Sequence, residues 1–486
     1  MKKKTLKIGL YSIVMSIIAV AVVIGINLFV NSLPTDKTKF DTTPEEIYSL
    51  SEQSTQIAES IKEDVTIYLL ASETEKDTSL YEFLERYAAQ NEHIKVALKD
   101  PVLYPNFAKD YTDEDVSSNS VIVSGEKRGK YIAYTDIYVT DYSMNYSTYQ
   151  YESTSSFDGE NCITSALDYV TSEELPVVYR LTGHGEESIS DYSSQIEKTI
   201  SNENISLTDL SLVKEGKVPE DAAAVLIFAP QKDISEDELQ MLRDYGESGG
   251  KLFVLTDFIT AEQVNLKALL ADYGMEPVEG IVLEANKGYY YQYQTYLLPV
   301  FSSHEITKPL LGNYQILLGN AQAVKETEDK PDNVTVTALL ETSDQAYSKL
   351  DGVNITTYEK ESGDIDGPFY LAAAAVLTGD ETTSCLLYTS PSPRDSRAQM
   401  VYIPSTAFLA DQINTLVSGA NHDFFMNSLE WLCDREETIS IRAKSLDAEK
   451  LSISEQTALN WEIILMGVIP AALLIFGGMV VYRRRK

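Results

Sequence analysis

The chain is predicted to be an α/β protein held between two membrane-spanning helices. Three features predict this: a long uncharged stretch near each end, basic residues on the far side of both stretches, and an interior where helical and strand patterns alternate.

The ends come first. Ile8 to Val30 carry no charged side chain, and Lys2, Lys3, Lys4 and Lys7 precede them. At roughly 1.5 Å of rise per residue this stretch spans a bilayer. It exceeds the about 7–15 apolar residues of a signal peptide, and Asn31-Ser-Leu-Pro34 is no small-x-small cleavage site. The stretch therefore reads as an uncleaved anchor. Ile463 to Val481 form the second stretch, flanked by Trp461 and Tyr482 and followed by Arg483, Arg484, Arg485 and Lys486. Aromatic residues favour the headgroup level, and Lys and Arg mark the cytoplasmic side. The expected spans are 8–30 and 461–482. The tails 1–7 and 483–486 are expected in the cytoplasm, and the large region between the spans outside it.

Charge separates the ends from the rest. The net charge is −35, and the two ends contribute eight basic residues against Glu462. Removing that +7 leaves the outer region at −42 (−35 less +7). Such a surface repels phosphate backbones, so nucleic acid is excluded as a partner. The cysteines are Cys162, Cys385 and Cys433, with no CxxC and no Cys/His cluster. That spacing builds no structural zinc site, and no metal or cofactor is expected. Whether Cys162 and Cys433 pair is open.

A first unit is expected over residues 45–155. Ser49-Leu-Ser-Glu52 has the form of a capping box. A helix through Ile57 and Ile61 follows, then a strand Val65–Leu70, a helix from Leu80 to Ala89 and a strand Ile94–Leu98. Val121–Val123 and Tyr131–Ala133 read as further strands. Tyr142, Tyr146, Tyr149 and Tyr151 lie in what reads as a loop.

A second unit is expected over 156–440. Ile163–Val170 reads as helix and Pro176–Leu181 as a buried strand. Thr182-Gly-His-Gly-Glu186 follows, then a helix from Tyr192 to Ile200. Ala222–Phe228 is an apolar strand. Ser235-Glu-Asp-Glu238 caps a helix whose apolar residues Leu239, Leu242 and Tyr245 share one face. Gly246–Gly250 ends it, and Leu252–Leu255 is the next strand. Successive β-α-β units imply a parallel sheet with right-handed crossovers.

The candidate chemistry is sparse. Gly246-Glu-Ser248-Gly-Gly250 spells G-x-S-x-G, but it lies between helix and strand, the reverse of a nucleophile elbow. A helix C-cap explains its glycines better. Gly250-Lys251 is followed by Leu252, so it is no P-loop. Gly183, His184, Gly185 and Glu186 are the candidate ligand-binding residues, because they follow a strand and precede a helix, where open α/β sheets place ligands. His184 and Glu186 also suit acid/base work or a tight hydrogen-bonded turn, and these alternatives stay open. No catalytic residue is assigned. His93, His304 and His422 read as structural. Tyr289, Tyr290, Tyr291, Tyr293 and Tyr296 form a second aromatic cluster, suited to sugars or to packing against a neighbour.

Several segments together resemble a known family. They are Tyr48-Ser-Leu-Ser51, Phe157-Asp-Gly-Glu160 with Ile163-Thr164, Leu181-Thr-Gly-His-Gly-Glu186, Gly249-Gly-Lys-Leu-Phe-Val254, His304-Glu-Ile-Thr307 and Asn427-Ser-Leu-Glu-Trp-Leu432. The layout resembles the GldG-like auxiliary subunits of ABC-type transport systems, also found in gliding-motility transporters. The resemblance implies a thioredoxin-like first unit and a second unit like class I glutamine amidotransferases. It implies a non-enzymatic subunit working at the cytoplasmic membrane with a separate ABC permease and ATPase. A cell-wall component or a small molecule is the ligand class left open. The first unit lacks CxxC and the second lacks a cysteine on a strand-to-helix elbow, so the resemblance is one of fold. Two other readings stand beside it: a surface hydrolase or carbohydrate-modifying enzyme using His184 and Glu186, and a sugar- or wall-binding module using the tyrosines.

Cys385-Leu-Leu-Tyr-Thr-Ser-Pro-Ser-Pro-Arg-Asp395 is unlike the rest. It looks like the translation of a transposon-type sequencing adapter joined in frame, and no function is assigned to it. Re-reading the gene across these codons is expected to remove the string; its recovery from independently prepared, adapter-free DNA would refute this.

Overall fold

The structure is a computed structural model. It describes residues 47–434 apart from 114, 146–149, 174, 260–261, 313, 351–354, 356 and 379–396, together with 441, 443–446 and the isolated positions 15, 18, 22, 24 and 483. The two expected spans lie outside the described residues save for those isolated positions. So do Tyr146, Tyr149 and the adapter-like string. Among the described residues, no helix is long and apolar enough to cross a membrane.

The first unit begins at helix α1, Glu52–Ser60, capped by Ser51, whose hydroxyl accepts from Ser54 N–H. The expected box at Ser49 and Glu52 does not form, because Glu52 is itself the first helical residue. The Ser51 N–H turns to a carboxylate from elsewhere, Glu160 Oε1. Strand β1 (Val65–Leu69), helix α2 (Thr78–Gln90), and strands β2 (Ile94–Leu98), β3 (Val121–Ser124) and β4 (Gly129–Ile132) follow. Asp77 caps α2, with Oδ1 accepting from Ser79 and Leu80 N–H at 2.9 and 3.1 Å. The strands form a sheet in the order β2-β1-β3-β4, with β1 and β2 parallel and the other pairs antiparallel.

The tyrosine-rich stretch is a hairpin rather than a loop. Strand β5 (Tyr138–Asn145) pairs with β6 (Gln150–Phe157), from Tyr138 opposite Phe157 to Asn145 opposite Gln150. Its β-branched and aromatic residues favour the pleated ladder over open coil. Lys444 and Ser445 return from the far end of the chain and pair with β6 opposite Phe157 and Ser156.

Helix α3, Gly159–Thr171, read from the sequence as opening the second unit, buries its apolar face in the first. Ile163, Ala166, Leu167 and Val170 share a core with Val65, Ile67, Leu69, Phe83 and Tyr87. Glu160, on its first turn, is 2% exposed.

The second unit is built on one large mixed sheet. Its strands are β7 (Val177–Leu181), β8 (Ser206–Leu210), β9 (Ala222–Phe228), β10 (Lys251–Leu255), β11 (Met275–Val278), β12 (Ala323–Glu326), β13 (Val334–Glu341), β14 (Tyr370–Leu377) and β15 (Ala398–Ile403). The order is β11-β12-β14-β15-β10-β9-β7-β8, and β13 pairs with β14. β8, β7, β9, β10 and β15 run parallel, while β14, β13, β12 and β11 pair antiparallel. This is the parallel-containing α/β architecture expected from the sequence.

Helices cover both faces of the parallel part. Val225, Ile227, Leu252 and Val254 pack with α5 (Glu236–Glu247) and α6 (Val264–Asp272). Leu226, Phe228, Phe253 and Leu255 pack with α4 (Ile196–Asn202) and α7 (Ala420–Leu432). Covering both faces explains why β9 reads as an unbroken apolar run. The helix expected over Tyr192–Ile200 is broken. A short turn, Ile189–Tyr192, is separated from α4 by Ser193, whose hydroxyl donates to Asp411 Oδ1 at 2.6 Å and accepts from Gln195 N–H.

Phe253 is fully buried and its ring lies 5.1 Å from that of Phe425 on α7. Phe253→Ala is expected to destabilise the protein by about 3–5 kcal/mol, read as a lower midpoint in denaturant unfolding. Val213→Ala, at an exposed site, is expected to leave the midpoint unchanged.

Candidate functional site

The parallel strands direct attention to their carboxyl ends. From β7 the chain leads out to β8 and then returns to β9 on the other side of β7, so the strand order reverses between β7 and β9. Open α/β sheets bind ligands in the crevice at such a point. Thr182–Glu186 leaves β7 there and Ala229–Asp233 leaves β9. The two segments close on each other: Gln231 and Lys232 N–H donate to the His184 carbonyl at 3.1 and 2.9 Å.

The Gly183–Glu186 turn is folded around its own carboxylate. Gly183 has φ 126° and Gly185 has φ 73°, values that favour glycine. The N–H groups of Gly183 and His184 then both donate to Glu186 Oε2, at 3.0 and 2.8 Å. Glu186 Oε1 lies 2.9 Å from His184 Nδ1, and Glu238 Oε2 lies 3.0 Å from His184 Nε2. A carboxylate faces each ring nitrogen, an arrangement that favours the doubly protonated imidazolium. His184 is 6% exposed. Glu238 also closes the capping box at α5, with Oε2 accepting from Ser235 N–H and hydroxyl. Its other oxygen, Oε1, is buried without a protein donor.

Each charge shifts the others. The hydrogen bond to Glu186 raises the His184 pKa to about 8 against the opposing effect of burial, and Glu238 adds to the rise. Burial pushes Glu186 up, but His184 and the turn's N–H groups outweigh it and hold the carboxyl below its ordinary range. Burial likewise raises Glu238, while Ser235 and His184 more than reverse the shift. The arrangement joins the β7 turn to the start of α5 through a charged, desolvated ring.

Carboxylates also join other segments at this edge. Tyr192 hydroxyl donates to Asp257 Oδ2 at 3.3 Å and to Glu187. Thr406 hydroxyl donates to Asp257 Oδ1. Asp257 follows β10 and Thr406 follows β15. A groove of about 350 Å³ opens elsewhere, between Arg243, Asp272, Tyr273 and Leu377.

The remaining candidates are dispersed. Ser248 is the C-cap of α5 and its hydroxyl donates to the Tyr245 carbonyl at 2.7 Å, followed by Gly249 at φ 89°. His93 meets Asp64 on the surface, His304 packs on Trp431, and His422 meets the Leu409 carbonyl. Cys162 and Cys433 are not in a disulfide. Among the described residues no group of His, Cys, Asp and Glu is arranged to hold a metal. Glu238 is the site residue that the sequence reading places only as a helix cap. Its link to His184 spans 54 positions and leaves no local signal.

Fold and edge together define a doubly wound α/β protein whose switch-point turn is tied to α5 by His184, Glu186 and Glu238. The chain belongs to the family described as ABC-type uncharacterized transport system, whose model matches residues 175–428. A second model, for a domain of unknown function, matches residues 44–140. No curated protein matches the chain. Among solved structures, it is similar to the mmIFT52 N-terminal domain at 14% identity, covering 54% of this chain and 99% of that one with a TM-score of 0.38. It is similar to a ThuA-like protein from Bacteroides uniformis ATCC 8492 at 13% identity, covering 54% and 93% with a TM-score of 0.30. It is also similar to the exo-beta-1,4-mannosidase Op5Man5 from Opitutaceae bacterium strain TAV5 at 10% identity, covering 56% and 40% with a TM-score of 0.28. Likenesses of this size carry no argument about function.

The His184 cluster has a pH signature. Its folded pKa is above the ordinary 6.5, so its contribution is full below pH 6.5 and is lost as pH rises through about 8. That loss is on the order of 1–2 kcal/mol. Urea unfolding between pH 6 and pH 9 is expected to show the decline, and His184→Gln is expected to abolish it. An unchanged decline in the variant would assign it to another group.

Proposed function

We propose that this protein is a non-enzymatic, membrane-anchored extracytoplasmic subunit that works with a separate ABC permease and ATPase. Its family membership supplies the transport system. The sequence has no Walker motif, so ATP hydrolysis falls to the partner. In this reading the first unit is thioredoxin-like without redox cysteines, and the second is amidotransferase-like in fold alone.

One observation supports the anchoring. Ser51 and Ser54, near the start of the described body at Ile47, and Lys444, in the segment ending at Leu446, meet at Glu160. Ser51 N–H and Ser54 hydroxyl donate to Glu160 Oε1, and Lys444 Nζ lies 2.8 Å from Glu160 Oε2. Lys444 Nζ also donates to the Ser49 carbonyl at 2.8 Å. The described segments nearest in sequence to the apolar stretches 8–30 and 463–481 thus lie side by side, which supports a chain anchored at both ends in one membrane. Small residues in the second stretch, Gly467, Ala471, Ala472, Gly477 and Gly478, permit close packing against permease helices.

The engaged imidazole of His184 supports the non-enzymatic reading over a hydrolase using the same turn. Both nitrogens are committed to carboxylates, which leaves no free base.

The test is co-purification. From detergent-solubilised membranes, with crosslinking, the tagged full chain is expected to bring down a permease and an ATPase. Recovery of the chain alone under those conditions would refute the partnership. Release of the chain from membranes by alkaline wash would refute the anchoring.

A further inference from the structure

The first unit carries an exposed apolar turn that the transport reading does not use. Val102, Leu103 and Tyr104 follow β2 and are 83%, 71% and 53% exposed. Three consecutive large apolar residues at this exposure are unusual on a water-facing surface.

The turn is held in shape. Pro101 and Pro105 flank the triplet and restrict its backbone. Asp100 Oδ1 accepts from Val102 N–H at 2.8 Å, and the Asp100 carbonyl accepts from Tyr104 N–H at 2.9 Å. Two residues past Pro105, Phe107 packs its ring 4.9 Å from Tyr68 on β1. Lys99 Nζ sits 4.0 Å over the Tyr104 ring and 4.7 Å over that of Phe107. The apolar tip therefore stands on an anchored base, with one cation beside its aromatic residue.

Its position in the sheet fixes which way it faces. β1 and β2 run parallel, and Leu69 pairs with Leu98 at their carboxyl ends. The turn begins at that edge, where Lys99 N–H donates to the Leu69 carbonyl. α1 ends at the opposite edge, since Asn91, just before β2, donates to the Ala58 and Ile61 carbonyls. α1 therefore starts near the carboxyl edge. α3 runs the same way, with its end at Val170 beside Gly125, which follows β3. Ser51, Glu160 and Lys444, the meeting point of the two chain ends, thus share the edge that carries Val102–Tyr104.

We propose that Val102, Leu103 and Tyr104 seat in the interface of the lipid bilayer beneath the outer region. The proposal rests on the anchored reading above, in which the stretches 8–30 and 463–481 hold the edge carrying Ser51 and Lys444 towards the membrane. Val and Leu enter the acyl boundary, Tyr104 occupies the headgroup level, and Lys99 reaches a lipid phosphate. Asp100, Asp110, Asp113 and Asp115 surround the turn in sequence and offer no attraction to an anionic surface. The seating therefore depends on apolar burial and on the tethers, which keep the turn at high effective concentration near the bilayer.

The experiment uses the full chain in nanodiscs of zwitterionic phosphatidylcholine, with acyl chains either plain or brominated. Leu103→Trp is read as the difference from the parent protein, which carries Trp431 and Trp461. Emission of the introduced indole is expected to lie to the blue of a water-exposed one and to be roughly halved by brominated chains, as for other interfacial tryptophans. Unshifted, unquenched emission from a chain that is incorporated would overturn the proposal and leave the anchoring intact. Emission that shifts only after a permease and ATPase are co-reconstituted would overturn it in favour of a protein contact. A chain that does not incorporate at all would overturn the anchoring and the proposal with it.

Discussion

A buried carboxylate holds the first unit together, and much else in the chain is arranged to satisfy it. Glu160 is removed from water at the start of α3. Burial raises its pKa, but Lys444 and the Ser51 and Ser54 donors outweigh that and keep it ionised below the ordinary range. A desolvated charge of this kind is tolerated only with a close cation and full hydrogen bonding. The cation comes from nearly the far end of the chain, and the donors from the first described turn. Through Ser54 the network extends to Thr164 and Tyr87, joining α1, α2 and α3. Removing Lys444 would leave the buried Glu160 with the Ser51 and Ser54 donors but without its cation, so electrostatics as well as packing joins these two segments.

The same logic recurs in the second unit with the sign reversed. There the buried cation is His184, and two carboxylates from separate elements serve it. Glu186 belongs to the turn and shapes it. Glu238 belongs to α5 and ties the turn to the helix. Where many α/β sheets leave an open crevice, this one places a charged crosslink of its own. Both hubs sit at carboxyl edges of parallel strands, and both join segments distant in sequence.

Pattern-bearing elements are legible in the sequence. β9 and β10 are apolar runs bounded by polar turns, and α5 announces itself by Ser235 and Glu238. The Gly-His-Gly-Glu turn stands out because it separates a strand from a helix. Its chemistry is not legible, because the deciding contact, His184 with Glu238, depends on how α5 packs. Ser51 rather than Ser49 caps α1 because Glu160, more than a hundred positions away, takes over the N-terminal donor. The tyrosine-rich stretch reads as a loop because its polar residues interrupt any local strand pattern, and the ladder from Tyr138–Phe157 to Asn145–Gln150 forms only when the two strands meet. The allegiance of α3 is hidden as well: Ile163 and Leu167 mark a buried face without naming the sheet they cover.

The pairing of β14 with β15 has a consequence for the foreign-looking string. Leu377 stands directly opposite Ala398, so the ladder is already closed on either side of it. Everything between those residues belongs to one hairpin connection. Lengthening such a connection costs only the logarithm of its length, about 0.6 kcal/mol for each doubling. The register of β14 against β15 is set by the strands themselves, so a change in the length of their connection costs the fold little. The connection between Leu377 and Ala398 is therefore a permissive site for grafting a tag or reporter.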